Sequence, residues 1–326
     1  MTFRILCLIE KTDDSIAYYR ATLPFVTMTH DYSNVKIDFV NPGMTPSWDF
    51  LCNYNVLFCQ RPSAKVHLDW ITYARMHRLR IWIDHDDELW SVNYHSPAYH
   101  HYAQKQTQDY IRECLEFADV VSVSTPYLAT AVKQKYDIEA VVVENAVDTW
   151  MMYQSARLKP FAPVINWRGS HTHKDDLMTH QTEILSFDAN QNVQWVFRGY
   201  NETLLTVKLK NVRHINYMPH TVYQESIRKE EGNIMMVPLT DSSFNRSKSN
   251  IAALESIVAG MIPIVPDWWE DINLYVGNLE SKLEQIWYED EEKRTKKWAQ
   301  LCEVVAQKYS LAKSNEVRMQ ILKNLL

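Results

Sequence analysis

The sequence contains little glycine and little cysteine, with 6 and 5 residues among 326. No glycine occurs in Glu10–Ser15, the turn after the first apolar run. This absence disfavours a nucleotide-sugar epimerase or dehydrogenase, because those enzymes need a glycine-rich turn at this point. The cysteines are odd in number and lack the short paired spacing of a zinc site, so we expect a reducing compartment.

Long apolar runs are also missing. The run in Arg4–Glu10 is short and is soon followed by charged residues, so the sequence predicts neither a signal peptide nor a membrane span. We therefore expect a cytoplasmic protein without stable membrane association. The formal charge of −6 argues against nucleic-acid binding by bulk electrostatics, although it leaves room for a local basic groove.

The remaining composition, 46% hydrophobic and 23% charged residues, is typical of a globular protein long enough for two domains. Short β-branched runs such as Val35–Val40 and Val212–Ile215 alternate with segments of helical periodicity such as Ile16–Met28 and Lys65–Met76, which predicts parallel, doubly wound sheets. The alternation stops at Asp148–Pro163 and then resumes. We therefore predict Rossmann-like domains at residues 1–150 and 151–305, followed by a C-terminal helix at 306–326 that returns to the first domain.

A stretch in the second predicted domain, Phe244–Pro266, reads as a polar loop, a helix and a buried strand. Ser249 or Asn250 would cap the helix, whose free N–H groups and positive dipole end suit a diphosphate. Lys248 adds a positive charge beside that end. Glu255 lies further along, where its carboxylate can accept hydrogen bonds from both cis hydroxyls of a ribose. A surface glutamate on an ordinary helix is the alternative.

The segment Ile165–Leu177 predicts a strand, a turn of small residues and a helix. Arg168, Gly169, Ser170 and Lys174 are candidate diphosphate ligands, because such a turn directs side chains toward the carboxyl end of the strand. The alternative is a pair of solvated basic residues. His171 and His173 alternate as metal ligands can, but no Cys or carboxylate partner has convincing spacing, so we predict no metal there.

In the first predicted domain, the strand that begins at Arg80 runs into an acidic loop that contains Asp84, His85, Asp86 and Asp87. These side chains would face the crevice in which ligands of parallel sheets bind. The spacing of Asp84 and Asp86 would also suit two ligands of a divalent cation. Three residues of the first loop, Ser15, Tyr19 and Arg20, are further candidates for contact with the diphosphate.

These motifs resemble family four retaining glycosyltransferases. Leu254–Val265 is similar to the family's "LE-A-x-A-x-G-x-P-V-V" signature, which implies that Glu255 holds the donor ribose. The resemblance also implies that Arg168 and Lys174 neutralise the leaving diphosphate, that His85 binds the donor, and that Asp86 or Asp87 meets the acceptor. Where the family has a second glutamate, this chain has Ser247. The variant Asn245–Asn250 resembles a subgroup common in tailed bacteriophages.

The resemblance implies a GT-B fold, with two Rossmann-like domains facing a cleft. It further implies transfer from a nucleotide diphosphate sugar, expected to be a UDP-sugar, with retention of configuration and without a metal ion or other cofactor. From the phage-like variant we expect the acceptor to be a 5-hydroxymethylpyrimidine in phage DNA, modified in the host cytoplasm. The alternatives are a cell-surface glycan or lipid carrier as acceptor and, more remotely, a non-catalytic two-lobed sugar-binding protein.

For a DNA acceptor, the sequence offers one basic segment and several aromatic residues. Arg75–Arg80, with His100 and His101 nearby in sequence, could contact phosphates. A helix end with solvated basic residues is the alternative. Three aromatic residues beyond the acidic loop are candidates for stacking on a target base, namely Trp90, Tyr94 and Tyr99.

Overall fold

The computed structural model describes residues 2–12, 14–149 and 157–326, and this part of the chain contains two parallel β-sheets. We call residues 2–149 the first half and residues 157–310 the second half. The predicted domain boundary at residues 150 and 151 lies outside the described residues. Within the described part of the chain, every helix is too short or too polar to span a lipid bilayer.

The first sheet has six strands in the order β2-β1-β3-β4-β5-β6, all parallel. The strands are β1 Phe3–Leu8, β2 Val35–Val40, β3 Val56–Gln60, β4 Arg80–His85, β5 Val120–Val123 and β6 Val141–Val142. Because β2 lies on one side of β1 and the later strands lie on the other, the winding reverses between β1 and β3. Such a reversal leaves a crevice at the carboxyl ends of the strands.

The second sheet has five parallel strands in the order β11-β10-β7-β8-β9. The strands are β7 Val164–Gly169, β8 Gln194–Gly199, β9 Val212–Ile215, β10 Ile234–Met236 and β11 Ile262–Ile264. Here the winding reverses between β7 and β10, which creates a second crevice of the same kind.

Helices connect the strands. In the first half the α-helices are α1 Ser15–Ala17, α2 Leu23–Asp31, α3 Trp48–Leu51, α4 Lys65–Met76, α5 Tyr99–Tyr102, α6 Lys105–Glu116 and α7 Pro126–Tyr136, with a π-helical segment at Tyr18–Thr22 and a 3₁₀ turn at Leu89–Ser91. From the second half onward they are α8 Lys174–Thr179, α9 Gln181–Asn190, α10 Thr203–Thr206, α11 His220–Lys229, α12 Ser243–Ser247, α13 Ile251–Val258, α14 Leu279–Trp287, α15 Glu291–Lys308 and α16 Leu311–Leu325, with a 3₁₀ turn at His171–His173.

Both faces of the first sheet are buried, as expected for a parallel sheet covered by helices on each side. Ile83 belongs to the apolar cluster on one face and Ile5 to the cluster on the other. The second cluster also contains Met319 and Leu322 of α16, and that helix packs against α2. The C-terminal helix thus returns to the first sheet, which confirms that part of the predicted fold.

Candidate active site

The carboxyl ends of β4 and β7 open into one cleft with a volume of about 490 Å³. Residues of both halves line it, among them Ser15, Tyr19, Asp86, Arg168, Lys248 and Glu255. Gly169, Ser170 and Ser249 also line the cleft, so the structure brings most of the predicted site residues together. The lining does not include four others among the described residues, namely Arg20, His85, Lys174 and Asn250.

Glu255 lies on α13 with only 4% of its surface exposed, so it is not an ordinary surface glutamate. Its Oε1 accepts a hydrogen bond from the Tyr19 hydroxyl at 2.7 Å. Its Oε2 accepts bonds from Arg168 Nη2 at 2.6 Å and from the Tyr223 hydroxyl at 3.1 Å. A carboxylate offers about four acceptor positions. One position therefore remains, on Oε1.

Arg168 lies at the carboxyl end of β7, next to its last residue, and reaches the cleft, where it forms an ion pair with Glu255. Burial lowers the pKa of Arg168, but the Glu255 carboxylate together with Tyr223 and Tyr19 holds that pKa above its usual value. The Nε atom is buried and has no hydrogen-bond partner among the described residues. A buried donor without a partner is costly, so this atom marks a point where an anionic ligand would be stabilised.

Lys248 adds a positive charge to that of Arg168 at the cleft, and its ammonium lies beside the ring of His173. The Lys248 ammonium lies 3.5 Å from His173 Nε2, and His173 Nδ1 lies 2.8 Å from Asp176 Oδ2. Burial and the charge of Lys248 lower the pKa of His173, which favours the neutral ring, and its Nε2 can then accept a hydrogen bond from the ammonium. Sequence reasoning missed this role for His173, although the three-residue spacing to Asp176 in a helical turn would have suggested the pair.

Lys174, a predicted diphosphate ligand, is the first residue of α8, and the structure does not place it among the residues that line the cleft. A residue at the start of a helix can point away from the crevice even when its neighbours face it, because successive side chains diverge by about 100°. Lys248, which was also predicted at this site, does line the cleft.

The start of α13 faces the cleft through Ser249, Ile251 and Ala252. The first N–H groups of a helix have no partner within that helix, so this end suits an anion. Asn250 is the N-cap residue, but its side chain makes no capping hydrogen bond. Asn250 was predicted to bind the donor, but it is not among the residues that line the cleft, and its carbonyl oxygen accepts from the backbone N–H groups of Ala253 and Leu254.

Asp86 and Asp87 line the cleft from the first half, and Arg61 holds both of them. The Arg61 guanidinium donates to both oxygens of Asp86 and to Asp87 Oδ2 at 2.6 Å. Burial raises the pKa of Asp86 to about 6, and the Asp87 carboxylate adds to this rise. Sequence reasoning missed Arg61, which adopts a left-handed backbone with φ of 48° directly after β3.

His85 and Arg20, two other predicted site residues, are not among the residues that line the cleft. His85 is fully buried, and neither ring nitrogen has a partner among the described residues. Arg20 is 1% exposed and donates to Asp84 and to the carbonyl oxygen of Val143. Asp84 and His85 are buried at the end of β4, whereas the loop residues after them reach the cleft.

Ser247, at the position of the family's other glutamate, is fully buried and is not a cleft residue among those described. Its Oγ accepts a bond from the backbone N–H of Glu88 at 3.1 Å and donates to the carbonyl of Phe244 at 2.7 Å. Ser247 therefore joins the second half to the first.

In the predicted basic segment, Arg75 and Arg80 form ion pairs with Asp119 at 3.5 and 3.1 Å. Arg80 begins β4, so it lies at the opposite end of that strand from the acidic loop. Of the aromatic candidates, Trp90 packs edge-on against Tyr136 within the fold.

Tyr94 remains available, with 66% of its surface exposed. It makes an edge contact with Tyr99 at 6.3 Å. The adjacent Asn93 bridges to Asp175 of the second half at 2.7 Å, which places this aromatic segment beside the junction of the two halves. Within the described ranges, no three His, Cys, Asp or Glu side chains are grouped as a metal site.

Comparison with known proteins gives similarity of fold alone. No protein-family model and no curated protein sequence matches the chain. An alpha-glucosyltransferase solved with UDP and a 13-mer DNA containing an HMU base superposes with a TM-score of 0.69 at 11% identity, covering 99% of this chain and 100% of that chain.

Two other solved structures are similar. An alpha-glucosyltransferase with UDP-glucose and DNA containing an abasic site has a TM-score of 0.68 at 12% identity, covering 99% of each chain. A glycosyltransferase from Rickettsia africae has a TM-score of 0.66 at 11% identity, covering 99% of this chain and 98% of that chain. With its two parallel sheets and a cleft where both windings reverse, this chain has the GT-B fold of glycosyltransferases.

Proposed function

We propose that this protein is a retaining glycosyltransferase that transfers a sugar from a UDP-sugar to the hydroxyl of a 5-hydroxymethylpyrimidine in DNA. In this proposal residues 151–305 hold the nucleotide, residues 1–150 present the acceptor, and residues 306–326 pack on that first part. The host cytoplasm is the site of action if a phage encodes the protein.

The observation that carries the proposal is the composition of one wall of the cleft. Arg168, Lys248 and the start of α13 offer positive charge and N–H donors, and Glu255 lies beside them. A nucleotide diphosphate carries an anionic diphosphate next to a ribose diol. The diphosphate matches the positive charges and N–H donors, and the diol matches the Glu255 carboxylate. The cleft volume of about 490 Å³ lies within the range of small-molecule sites.

The same groups suit the chemistry of transfer. When the bond between the sugar and the diphosphate breaks, negative charge develops on the leaving phosphate. Arg168 Nε, which is buried and has no partner among the described residues, and the Lys248 ammonium are fixed donors for that charge. Across the cleft, Asp86 and Asp87 offer carboxylate oxygens to the incoming acceptor hydroxyl. Retention of configuration rests on the family resemblance of Leu254–Val265.

Support for the acceptor comes from the fold comparison and from the exposed aromatic segment. The similar alpha-glucosyltransferases were solved with UDP or UDP-glucose and with DNA, and one of those DNAs contains an HMU base. Tyr94 is exposed at the junction of the halves, where an unstacked base could be received.

The test is to incubate the protein with DNA containing 5-hydroxymethylcytosine or 5-hydroxymethyluracil and with labelled UDP-sugars. The DNA is then digested to nucleosides and analysed by mass spectrometry. A hexose or pentose mass increment on the modified pyrimidine is expected, and unmodified DNA of the same sequence is the matched control. If the protein binds UDP but no donor yields an increment, the DNA acceptor is wrong and the glycan or lipid acceptor takes its place.

A further inference from the structure

Tyr19 belongs to the first half by sequence but to the second half by packing. It lies in the π-helical segment Tyr18–Thr22 after α1. Its ring is 4% exposed and is part of the apolar cluster that contains Ile227, Leu254 and Val258. The side chain therefore crosses from one half into the core of the other.

The hydroxyl of Tyr19 is saturated by partners from the second half. It donates its single proton to Glu255 Oε1 at 2.7 Å. Its two acceptor positions face His220 Nε2 at 3.1 Å and Gln224 Nε2 at 3.2 Å. A hydroxyl has one donor and two acceptor positions, so this arrangement uses all three. It also requires His220 to carry its proton on Nε2.

Of the three hydrogen-bond donors to Glu255 among the described residues, Tyr19 alone comes from the first half. Arg168 lies in β7 and Tyr223 on α11, so both stay with Glu255 when the halves move as units. The bond from Tyr19 exists only while the halves are together. Oε1, the oxygen that it holds, is also the oxygen with an acceptor position left for a ligand.

We propose that Tyr19 is a positioning residue that orients Glu255 toward the donor ribose only when the two halves are closed. The inference rests on the proposed function, because it takes Glu255 to be the ribose ligand. Tyr18 reinforces the contact, since its ring lies 4.4 Å from the ring of His220. Closure of the cleft and binding of the nucleotide are thereby linked through one hydroxyl group.

The test compares Tyr19→Phe with Tyr223→Phe, a matched control that removes a hydroxyl donor to Glu255 from within the second half. Calorimetry measures the Kd for UDP, and small-angle X-ray scattering measures the radius of gyration with and without UDP. Tyr19→Phe should weaken UDP binding about tenfold, as expected for one lost hydrogen bond to a charged group. It should also increase the radius of gyration without UDP. Tyr223→Phe should weaken binding but keep the wild-type radius.

Three results would overturn the inference. These are a Kd of Tyr19→Phe equal to or below that of the wild type, a weaker Kd with an unchanged radius, and an equal expansion of Tyr223→Phe. Melting curves establish that both variants are folded. If the wild type does not bind UDP, the proposed function fails, whereas the scattering comparison without UDP still tests whether Tyr19 holds the halves together.

Discussion

Replacing Glu255 by glutamine tests the nucleotide site most directly. The carboxylate accepts three hydrogen bonds from the protein, so one acceptor position remains for a ribose hydroxyl. Sequence reasoning expected both ribose hydroxyls to bind there. With one position free, the change removes one charge-assisted bond, worth about 1.5–3 kcal/mol. The Kd for UDP should therefore rise roughly 10- to 150-fold.

The assay is isothermal titration calorimetry with UDP, accompanied by a melting curve for each variant. Glu225→Gln is the matched control, because Glu225 lies on the exposed surface of α11 and pairs with Lys229. Its Kd should equal that of the wild type. If Glu255→Gln binds UDP as tightly as the wild type while remaining folded, Glu255 does not hold the ribose, and its contacts with Tyr19 and Arg168 are structural.

Four further outcomes are expected. Lys248→Ala should lower kcat by about 100-fold or more through lost charge stabilisation, whereas Lys174→Ala should leave kcat within about twofold, and equal losses would contradict the assignment of Lys248. Addition of EDTA should leave most of the transfer activity, because protein cations neutralise the diphosphate, and a complete loss restored by manganese would refute this. Because the folded-state pKa of Asp86 is raised to about 6, its protonation stabilises the fold at low pH, and this contribution disappears as the pH rises through 6. Denaturant titrations should therefore show Asp86→Asn gaining up to about 3 kcal/mol of stability relative to the wild type between pH 4 and pH 7, and a constant difference would refute the raised pKa. Finally, His85→Leu should change the free energy of unfolding by less than about 1.5 kcal/mol, since no partner is lost, and should leave the Kd for UDP unchanged.

The fold could be predicted because its strands are buried on both faces and read as apolar β-branched runs. Val35–Val40 and Val212–Ile215 have the predicted bounds, and α4 does as well. The helix expected to run continuously from Ile16 to Met28 is interrupted by the π-helical turn at Tyr18–Thr22. Helical periodicity does not show this interruption, because the spacing of apolar residues over so few positions does not distinguish a π-helical turn from an α-helical one.

The site could be predicted where one local segment determines the position of a side chain. Arg168 and Glu255 are examples, because a strand end and a helix face direct them toward the crevice. Lys174 and His85 are predicted site residues that the structure places outside the cleft lining, because one residue of shift along a helix or strand turns a side chain away. Arg61 was missed because its role depends on Asp86, 25 positions further along the chain, and local sequence carries no signal for such a pair.

The return of α16 to the first sheet affects the order in which the protein can fold during synthesis. Domains usually fold in order from the N-terminus as the chain emerges from the ribosome. Here Phe3 and Ile5 share an apolar cluster with Met319 and Leu322, which are synthesised more than 300 residues later. The described core of the second half extends no further along the chain than Tyr309, which is synthesised before α16. The half translated last can therefore complete its core before the half translated first.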